Sequence, residues 1–235
     1  MTVQPTSPVA ATNGTTTFSI KFDPTTIGSK TATVSIANND ADEDPYTFNI
    51  SGSGVCDITL IAGTSTNPTV CAGTNGSIAF TTNLTNGSYT LNYSKGGTPT
   101  TKSITVESGA FTLGSLSAGV YTAFSITNNG CTGNAATSKT LSDPLSPTLT
   151  TGTLTNPTVC SGTDGSVAFT TTNLPDGTYS LSFTSTGTSS PQDITVSSGA
   201  FILGNISAGS YSTFSITNNG CTGNAATSKT LSDPL

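Results

Sequence analysis

The sequence of 235 residues contains no histidine, no tryptophan and no arginine, and charged side chains make up only 8% of it. The six basic residues are all lysines and form no run, and 12 acidic residues bring the formal net charge to −6. A chain without a basic patch cannot neutralise a phosphate backbone, which excludes nucleic acid as a partner. Because histidine is missing, an ordinary nucleophile triad cannot be assembled. We therefore predict that the chain is not an enzyme.

Long apolar runs are also missing. No stretch approaches the roughly 20 apolar residues that a bilayer-spanning helix needs, and the N-terminus lacks the basic and apolar regions of a signal peptide. We expect no membrane span in this sequence. We also expect the chain to be a piece of a longer protein, with its single methionine, Met1, added as a start residue.

What the chain does contain is an internal duplication. The letters FSITNNGCTGNAATSKTLSDPL run over 124–145 and return over 214–235, and Cys71 corresponds to Cys160. A duplicated unit of about 90 residues has the size of a small domain. We predict a partial immunoglobulin-like domain over 1–55, a first repeat over 56–145 and a second repeat over 146–235.

Each repeat reads as a series of short strands. Apolar residues alternate with polar ones, as in Ile78 and Phe80 or in Leu91 and Tyr93, and no segment shows a helical period. Asn-Gly, Gly-Gly and Ser-Gly pairs separate these stretches and supply the positive φ that tight turns need. This pattern is typical of a small sandwich. The predicted fold class is all-β, with tandem immunoglobulin-like β-sandwich domains arranged end to end.

Two aromatic positions indicate where the chain changes sheets. The stretches LSAGVY and ISAGSY end at Tyr121 and Tyr211, and they read as the corner of an immunoglobulin-type sandwich with these tyrosines as structural corner residues. After Tyr121 the next apolar residues, Phe124 and Ile126, stand at odd offsets. A β-bulge near 122–123 would return all three to one face, so we predict such a bulge in each repeat.

Five cysteines stand at positions 56, 71, 131, 160 and 221. Each repeat carries one near its start and one near its end, which favours two disulfides within the repeats, Cys71 to Cys131 and Cys160 to Cys221. Buried free thiols are the alternative, and zinc is disfavoured because histidine and a CxxC pair are both missing. Cys56 is expected to be a small buried residue at a domain junction or an unpaired thiol. Disulfides would place the protein outside the cytoplasm.

One loop concentrates negative charge. Asp40, Asp42, Glu43 and Asp44 form the only acidic cluster of the sequence. Carboxylates in one loop offer the hard oxygen ligands of an extracellular calcium site, which makes Asp40, Asp42 and Asp44 candidate Ca²⁺ ligands. A solvated turn between two strands is the alternative, since the loop lacks the glycine and spacing of an EF-hand. No other cofactor is expected.

The repeats share an ordered set of short motifs. C-x-G-x-x-G-S is followed by L-x-x-G-x-Y and, ten residues after that tyrosine, by N-G-C, over about 57–145 and 146–235. This frame resembles the repeats of SprB-type gliding-motility adhesins and related surface proteins of the Bacteroidota. The resemblance implies an extracellular, outer membrane-associated bacterial protein that leaves the cell by type IX secretion.

The first segment follows a different pattern. F-x-P-x-x-x-G, N-D, P-Y-T-F and G-x-G occur in order, and they resemble the C-terminal half of the choice-of-anchor D domain, an immunoglobulin-like module. The residues that carry this resemblance are Phe22, Pro24, Gly28, Asn39, Asp40, Pro45, Tyr46, Phe48, Gly52 and Gly54. Half a sandwich leaves an apolar face in water. We therefore expect upstream strands to complete it, or a neighbour to cover it.

The leading hypothesis for function is a structural and adhesive stalk. The repeats would be disulfide-stabilised spacer modules of a large secreted or cell-surface repeat protein, without catalysis. Their partners would be neighbouring domains of the same longer chain, with surface glycans or other cell-surface proteins as further candidates. The alternative is a set of carbohydrate-binding β-sandwich modules of a surface adhesin. Against that alternative, tryptophan is missing and most aromatic residues fall on alternating core positions.

Overall fold

The computed structural model describes residues 14–21, 23, 26–38, 42, 44–186 and 188–235, without the side chains of residues 188 and 189. This part of the chain consists of strands and turns and contains no helix, so the predicted all-β fold class is confirmed. It accordingly has no helix long and apolar enough to cross a membrane. Within it, the strands are β1 (Gly28–Ile36), β2 (Tyr46–Gly54), β3 (Leu60–Thr66), β4 (Gly76–Thr82), β5 (Gly87–Lys95), β6 (Thr98–Val106), β7 (Ala110–Leu116), β8 (Gly119–Asn128), β9 (Cys131–Ala135), β10 (Lys139–Leu141), β11 (Thr148–Thr155), β12 (Gly165–Thr172), β13 (Gly177–Ser185), β14 (Thr188–Val196), β15 (Ala200–Ile206), β16 (Gly209–Asn218), β17 (Cys221–Ala225) and β18 (Lys229–Leu231).

The chain divides into two compact units that interleave along the sequence. Unit 1 comprises Met1–Gly63, Ala79–Thr112 and Tyr121–Ser138, and unit 2 comprises Thr64–Ile78, Leu113–Val120 and Lys139–Leu235. Unit 2 thus holds the whole second repeat together with three short pieces of the first, 64–78, 113–120 and 139–145. The domain boundaries expected at 55 and 145 stay a prediction.

The second repeat is a two-sheet sandwich. One sheet has the order β11-β12-β15, and the other has the order β14-β13-β16-β17, with β18 also paired to β16. Phe169 of β12 stacks on Phe201 of its own sheet at 4.7 Å between ring centroids, and it meets Phe214 of the opposite sheet edge-on at 5.0 Å. All three rings are buried. The core therefore lies between the sheets, filled by the inward positions of the alternating pattern.

The first repeat forms the same strand pattern. Its sheets have the orders β3-β4-β7 and β10-β8-β5-β6, with β9 also paired to β8. Phe80 stacks on Phe111 at 4.9 Å and meets Phe124 edge-on at 5.0 Å, which reproduces the ring contacts of the second repeat. The prediction of tandem β-sandwiches is thus confirmed.

The predicted bulges are present. Asn92 lies opposite Ser125, but Ser94 lies opposite Thr122, so β8 carries one residue more than β5 between these pairs. Ala123 takes a left-handed φ of 54° at this point, and the apolar residues on both sides of the bulge are buried together. The same one-residue shift occurs between β13 and β16. The bulge is therefore confirmed in both repeats.

The first segment contributes the antiparallel pair β1 and β2, in which Gly28 faces Gly54 and Ile36 faces Tyr46. No side chain of either strand is fully buried. Around Phe18 the structure describes only a single bridge, and residues 3–9 lie outside the described residues.

Candidate functional site: the two disulfide junctions

A tight hairpin presents one cysteine of each repeat. In the second repeat, Asn218 of β16 pairs with Cys221 of β17, and the two residues between them, Asn219 and Gly220, have φ values of 48° and 72°. A two-residue turn with positive φ at both positions favours Asn-Gly. The N-N-G-C motif therefore places its cysteine immediately after the hairpin turn, and we call this element the NNGC hairpin.

The NNGC hairpin of the second repeat is bonded to the first repeat. Cys221 forms a disulfide with Cys71, with 5.1 Å between their Cα atoms and 150 residues between them in sequence. Beside the bond, the backbone N–H of Cys71 donates to the carbonyl of Asn219 at 2.8 Å. The carbonyl oxygen of Pro144 lies 3.3 Å from Sγ of Cys221 and 3.6 Å from Sγ of Cys71. This junction lies within unit 2.

The loop that carries Cys71 is fastened on both sides. Upstream, the side-chain oxygen of Asn67 accepts a hydrogen bond from the backbone N–H of Ser142 at 3.0 Å, in the chain that leaves the repeat. Downstream, the side chain of Asn75 accepts from the N–H of Thr69 at 3.0 Å and donates to its hydroxyl at 2.7 Å. The loop therefore presents Cys71 from a fixed backbone. We call residues 67–76 and their counterparts 156–165 the NPTVC loops.

Steric crowding explains why two positions of the C-x-G-x-x-G motif are glycine. A Cβ at Gly73 would lie 2.7 Å from the carbonyl oxygen of Val70, and a Cβ at Gly76 would lie 2.7 Å from that of Leu116. Both distances are shorter than a side chain allows, so only glycine fits without movement of the backbone. The motif thus encodes the path of the loop.

A second junction lies in unit 1. Cys131, in the NNGC hairpin of the first repeat, forms a disulfide with Cys56 across 75 residues, again with 5.1 Å between Cα atoms. A cavity of about 310 Å³ beside it is lined by Ile27, Val55, Leu84 and other residues of unit 1. In each repeat, the cysteine of the NNGC hairpin is therefore bonded to a cysteine that comes before the first strand of that repeat in the sequence.

These bonds correct the disulfide pairing predicted from the sequence. Cys71 is bonded to Cys221 rather than to Cys131, and Cys160 is an exposed free thiol rather than the partner of Cys221. Cys56, expected to be a buried residue or an unpaired thiol, is the partner of Cys131.

The geometry of the second repeat gives the physical reason. The loop of Cys160 leads into β12, whose first residue, Gly165, pairs with Ile206 just before β16 begins. Cys221, by contrast, follows the far end of β16, a strand of 10 residues. At about 3.3 Å per residue such a strand spans roughly 33 Å, whereas a disulfide needs Cα atoms within about 7 Å. The two cysteines of one repeat therefore lie at opposite ends of the same strand.

Cys56 reaches Cys131 because of its position at the start of the repeat. Its counterpart in the second repeat is Leu145, and the neighbouring carbonyl, that of Pro144, already lies 3.3 Å from Sγ of Cys221. The chain entering a repeat thus passes beside the NNGC hairpin. A cysteine at this point of the first repeat is consequently within bonding reach.

The tyrosine corners combine burial with a backbone hydrogen bond. Tyr211 is buried, and its hydroxyl donates to the carbonyl of Ser207 at 2.9 Å, which is the geometry of a tyrosine corner. Tyr121 is buried in the same way, with its ring centroid 6.0 Å from that of Tyr93. Burial beside Tyr121 raises the pKa of Tyr93. Both corner residues thus belong to the core.

Sequence reasoning missed a second tyrosine of this kind in each repeat. The hydroxyl of Tyr179 donates to the carbonyl of Pro175 at 3.0 Å, and that of Tyr89 donates to the carbonyl of Thr85 at 3.1 Å. The signal was available, because LTNGSY and LPDGTY repeat the L-x-x-G-x-Y pattern of the predicted corners.

Carboxylates of the second repeat fasten turns. Asp176 accepts from the N–H of Ser198 at 2.8 Å, and Asp164 accepts from both the N–H and the hydroxyl of Thr158. The hydroxyl and then the amide of Thr158 hold the pKa of Asp164 below its usual value. Both carboxylates therefore stabilise turns of the second repeat by accepting hydrogen bonds.

The acidic loop is described only in part. Oδ1 of Asp44 accepts a hydrogen bond from the N–H of Asn38 at 3.0 Å, whereas Asp40 lies outside the described residues. Among the residues that are described, no three His, Cys, Asp or Glu side chains group as metal ligands do. The calcium site stays a prediction.

No protein-family model matches the sequence, and comparison with curated proteins finds no match. Solved structures with a similar fold include murine CEACAM1b, at 21% identity, 76% coverage of this chain and 100% of that chain, with a TM-score of 0.28. A 1.5-MDa bacterial ice-binding adhesin is similar at 15% identity, 87% and 74% coverage and a TM-score of 0.44. A two-domain fibronectin type III segment of chicken tenascin is similar at 14% identity, 74% and 97% coverage and a TM-score of 0.28.

Proposed function

We propose that the chain is a structural and adhesive stalk segment of a large secreted or cell-surface repeat protein. Its modules are a partial immunoglobulin-like domain over 1–55 and two spacer repeats over 56–145 and 146–235. They hold other domains of the parent protein away from the cell, and they carry tension between them. The segment performs no catalysis.

The disulfide between Cys71 and Cys221 is the observation that carries this proposal. It gives the two repeats a covalent connection in addition to the linker around Pro144, and the backbone hydrogen bond from Cys71 to Asn219 lies beside it. A single peptide linker can be extended or cleaved at one point. Two connections in parallel require both to fail, which suits a segment that transmits load.

The disulfides also support the proposed location. Disulfides of structural type persist in extracellular and periplasmic compartments and are rare in a reducing cytoplasm. A repeat whose junctions depend on them therefore belongs at the cell surface or outside the cell. The motifs shared with SprB-type repeats and choice-of-anchor D domains support the finer proposal of an outer membrane-associated Bacteroidota protein, exported by type IX secretion and related to gliding motility.

Resistance to proteolysis tests the proposal. The oxidised chain should survive thermolysin at least ten times longer than the chain reduced and alkylated beforehand, because each long-loop disulfide is worth roughly 4 to 5 kcal/mol on the loop-entropy model. The variant Cys160→Ser, which keeps both bonds, should match the oxidised wild type. Equal survival of the oxidised and reduced chains would contradict a disulfide-stabilised stalk.

Carbohydrate binding is the second candidate, favoured by one surface feature. A groove of about 750 Å³ on the second repeat is lined by Gly152, Ala168, Ile202 and their neighbours, and the side chain of Ile202 is 64% exposed. The aromatic rings beneath it are buried, so the groove offers no stacking platform of the usual kind. Binding of the full chain on a glycan array, lost in Ile202→Asp, would favour this function over the stalk alone.

A further inference from the structure

The NPTVC loop of the second repeat reproduces the bonded loop of the first. The N–H of Gly162 donates to the carbonyl of Val159 at 2.9 Å, and the N–H of Thr158 donates to Oδ1 of Asp164 at 3.0 Å. In the first repeat, the matching hydrogen bonds are also 2.9 and 3.0 Å. The residue after the cysteine has a left-handed φ in both loops, 59° at Ser161 and 57° in the first repeat. The two backbones therefore present their cysteines alike.

The surroundings of the two thiols match as well. Sγ of Cys160 lies 3.7 Å from the carbonyl of Pro234, and Sγ of Cys71 lies 3.6 Å from that of Pro144. Upstream of the cysteine, the side-chain oxygen of Asn156 accepts a hydrogen bond from the N–H of Ser232 at 3.0 Å, as its counterpart does in the first repeat. The exit chain is thus fastened beside each cysteine in the same way.

The two loops differ in what covers them. Cys71 is half-buried and bonded to an NNGC hairpin, whereas Cys160 is an exposed free thiol. The neighbouring valine is also more exposed in the second repeat, with 59% of Val159 accessible against 41% of Val70. The second NPTVC loop therefore has the geometry of the bonded loop in the first repeat, but no NNGC hairpin is bonded to its cysteine.

We propose that Cys160 is an acceptor for the NNGC hairpin of a further copy of this repeat, with which it forms the same disulfide that Cys71 forms with Cys221. The first repeat serves as the comparison, because there the same loop binds that hairpin through both the disulfide and the backbone of Asn219. This inference deepens the proposed stalk function by naming the partner of the free loop.

The bond forms by oxidation of two thiols. Each thiol loses its proton, and the two sulfur atoms together give up two electrons. A small disulfide such as oxidised glutathione accepts the two electrons and two protons and leaves as two glutathione thiols. The products are one protein disulfide and two molecules of reduced glutathione.

An extended chain tests the proposal. A second instance of residues 146–235 is appended after Leu235, and the protein is oxidised with oxidised glutathione and mapped by mass spectrometry without reduction. We expect Cys160 to be bonded to the appended counterpart of Cys221, and its alkylation to fall at least tenfold relative to the 235-residue chain. In a matched control, replacement of that appended cysteine by serine should restore alkylation of Cys160. Unchanged alkylation of Cys160 in the extended chain would overturn the proposal.

A second variant keeps the proposal testable if the appended copy does not fold. Cys71→Ser in the 235-residue chain leaves Cys160 and Cys221 as free thiols. At low protein concentration we expect both to be alkylated, because they lie at opposite ends of β16. An intramolecular bond between them would show that Cys160 serves its own repeat, and it would overturn the proposal. Neither result changes the thermolysin test of the stalk, which depends on the two existing disulfides.

Discussion

The two disulfides enclose overlapping stretches of chain, which makes their mechanical effects unequal. One bond joins Cys56 to Cys131 across 75 residues, and the other joins Cys71 to Cys221 across 150 residues. When the chain is pulled from its ends, the shortest covalent path runs to Cys71, crosses to Cys221 and continues to the C-terminus. The Cys71–Cys221 bond therefore bears the load and shields the residues that it encloses, whereas the Cys56–Cys131 bond carries no load.

The extension of each variant follows from this path. With both bonds intact, the 150 enclosed residues leave 85 of the 235 residues to stretch, or roughly 290 Å at about 3.4 Å per residue. In Cys71→Ser only the 75-residue loop is withheld, so 160 residues stretch, to roughly 540 Å. In Cys56→Ser the path is unchanged, and the full extension should stay at roughly 290 Å.

Single-molecule force spectroscopy on the chain tethered at both termini measures these lengths. All variants would carry Cys160→Ser, which removes the free thiol and leaves both disulfides in place. A gain of roughly 250 Å in Cys71→Ser and no gain in Cys56→Ser is the expected pair of results. A gain in Cys56→Ser, or no gain in Cys71→Ser, would refute the overlapping connectivity, because in that connectivity only the Cys71–Cys221 bond shortens the path under load.

Three further predictions concern single side chains. Tyr211→Phe removes a hydroxyl that donates to a carbonyl at 2.9 Å, and urea unfolding should show a loss of about 1 kcal/mol; an unchanged midpoint would contradict a stabilising corner. Gly165→Ala would place a Cβ 2.6 Å from a carbonyl oxygen of β15, whereas the Cβ of Gly204→Ala meets nothing within 4 Å. Calorimetry should show that the free energy of unfolding falls by about 1 to 3 kcal/mol in the first variant and by under about 0.5 kcal/mol in the second. Equal losses would contradict the steric explanation. Thr158→Ala removes the hydroxyl that does most to hold the pKa of Asp164 below its usual 3.8, so an NMR titration should find the pKa raised; because the folded-state pKa is depressed, this contribution to stability is present above the unfolded-state pKa and is lost as the pH falls through the folded-state value.

The sandwich could be predicted from the sequence because its signals are local. Inward residues such as Ile78 and Phe80 alternate within a single strand, and the pairs at the turns need φ values that glycine and asparagine adopt easily. The bulge was predictable for the same reason, since the odd offset between Tyr121 and Phe124 lies within one strand. The strands, the turns and the register shift could therefore be predicted from patterns among residues that are close together in the sequence.

The disulfide junctions could not be predicted by the same reasoning. The nearly equal spacing of the cysteines in the two repeats, 60 and 61 residues, gave no information about which end of the sandwich each one occupies. That depends on β16, which separates Cys160 from Cys221 by its whole length. The letters NPTVC are identical in the two repeats and precede no strand directly, so they were the available signal that Cys71 belongs to a built loop.

The interval between Cys56 and Cys131 closes before the interval from Cys71 to Cys221 can close, because a chain is synthesised and folds from its N-terminus. Cys71 is therefore still a reduced thiol when Cys131, with which it could form a wrong bond, is already present. Pairing of Cys131 with Cys56 removes that partner. The first closure thus protects the second, and Cys56, at the start of the first repeat, sets the order in which the two disulfides form.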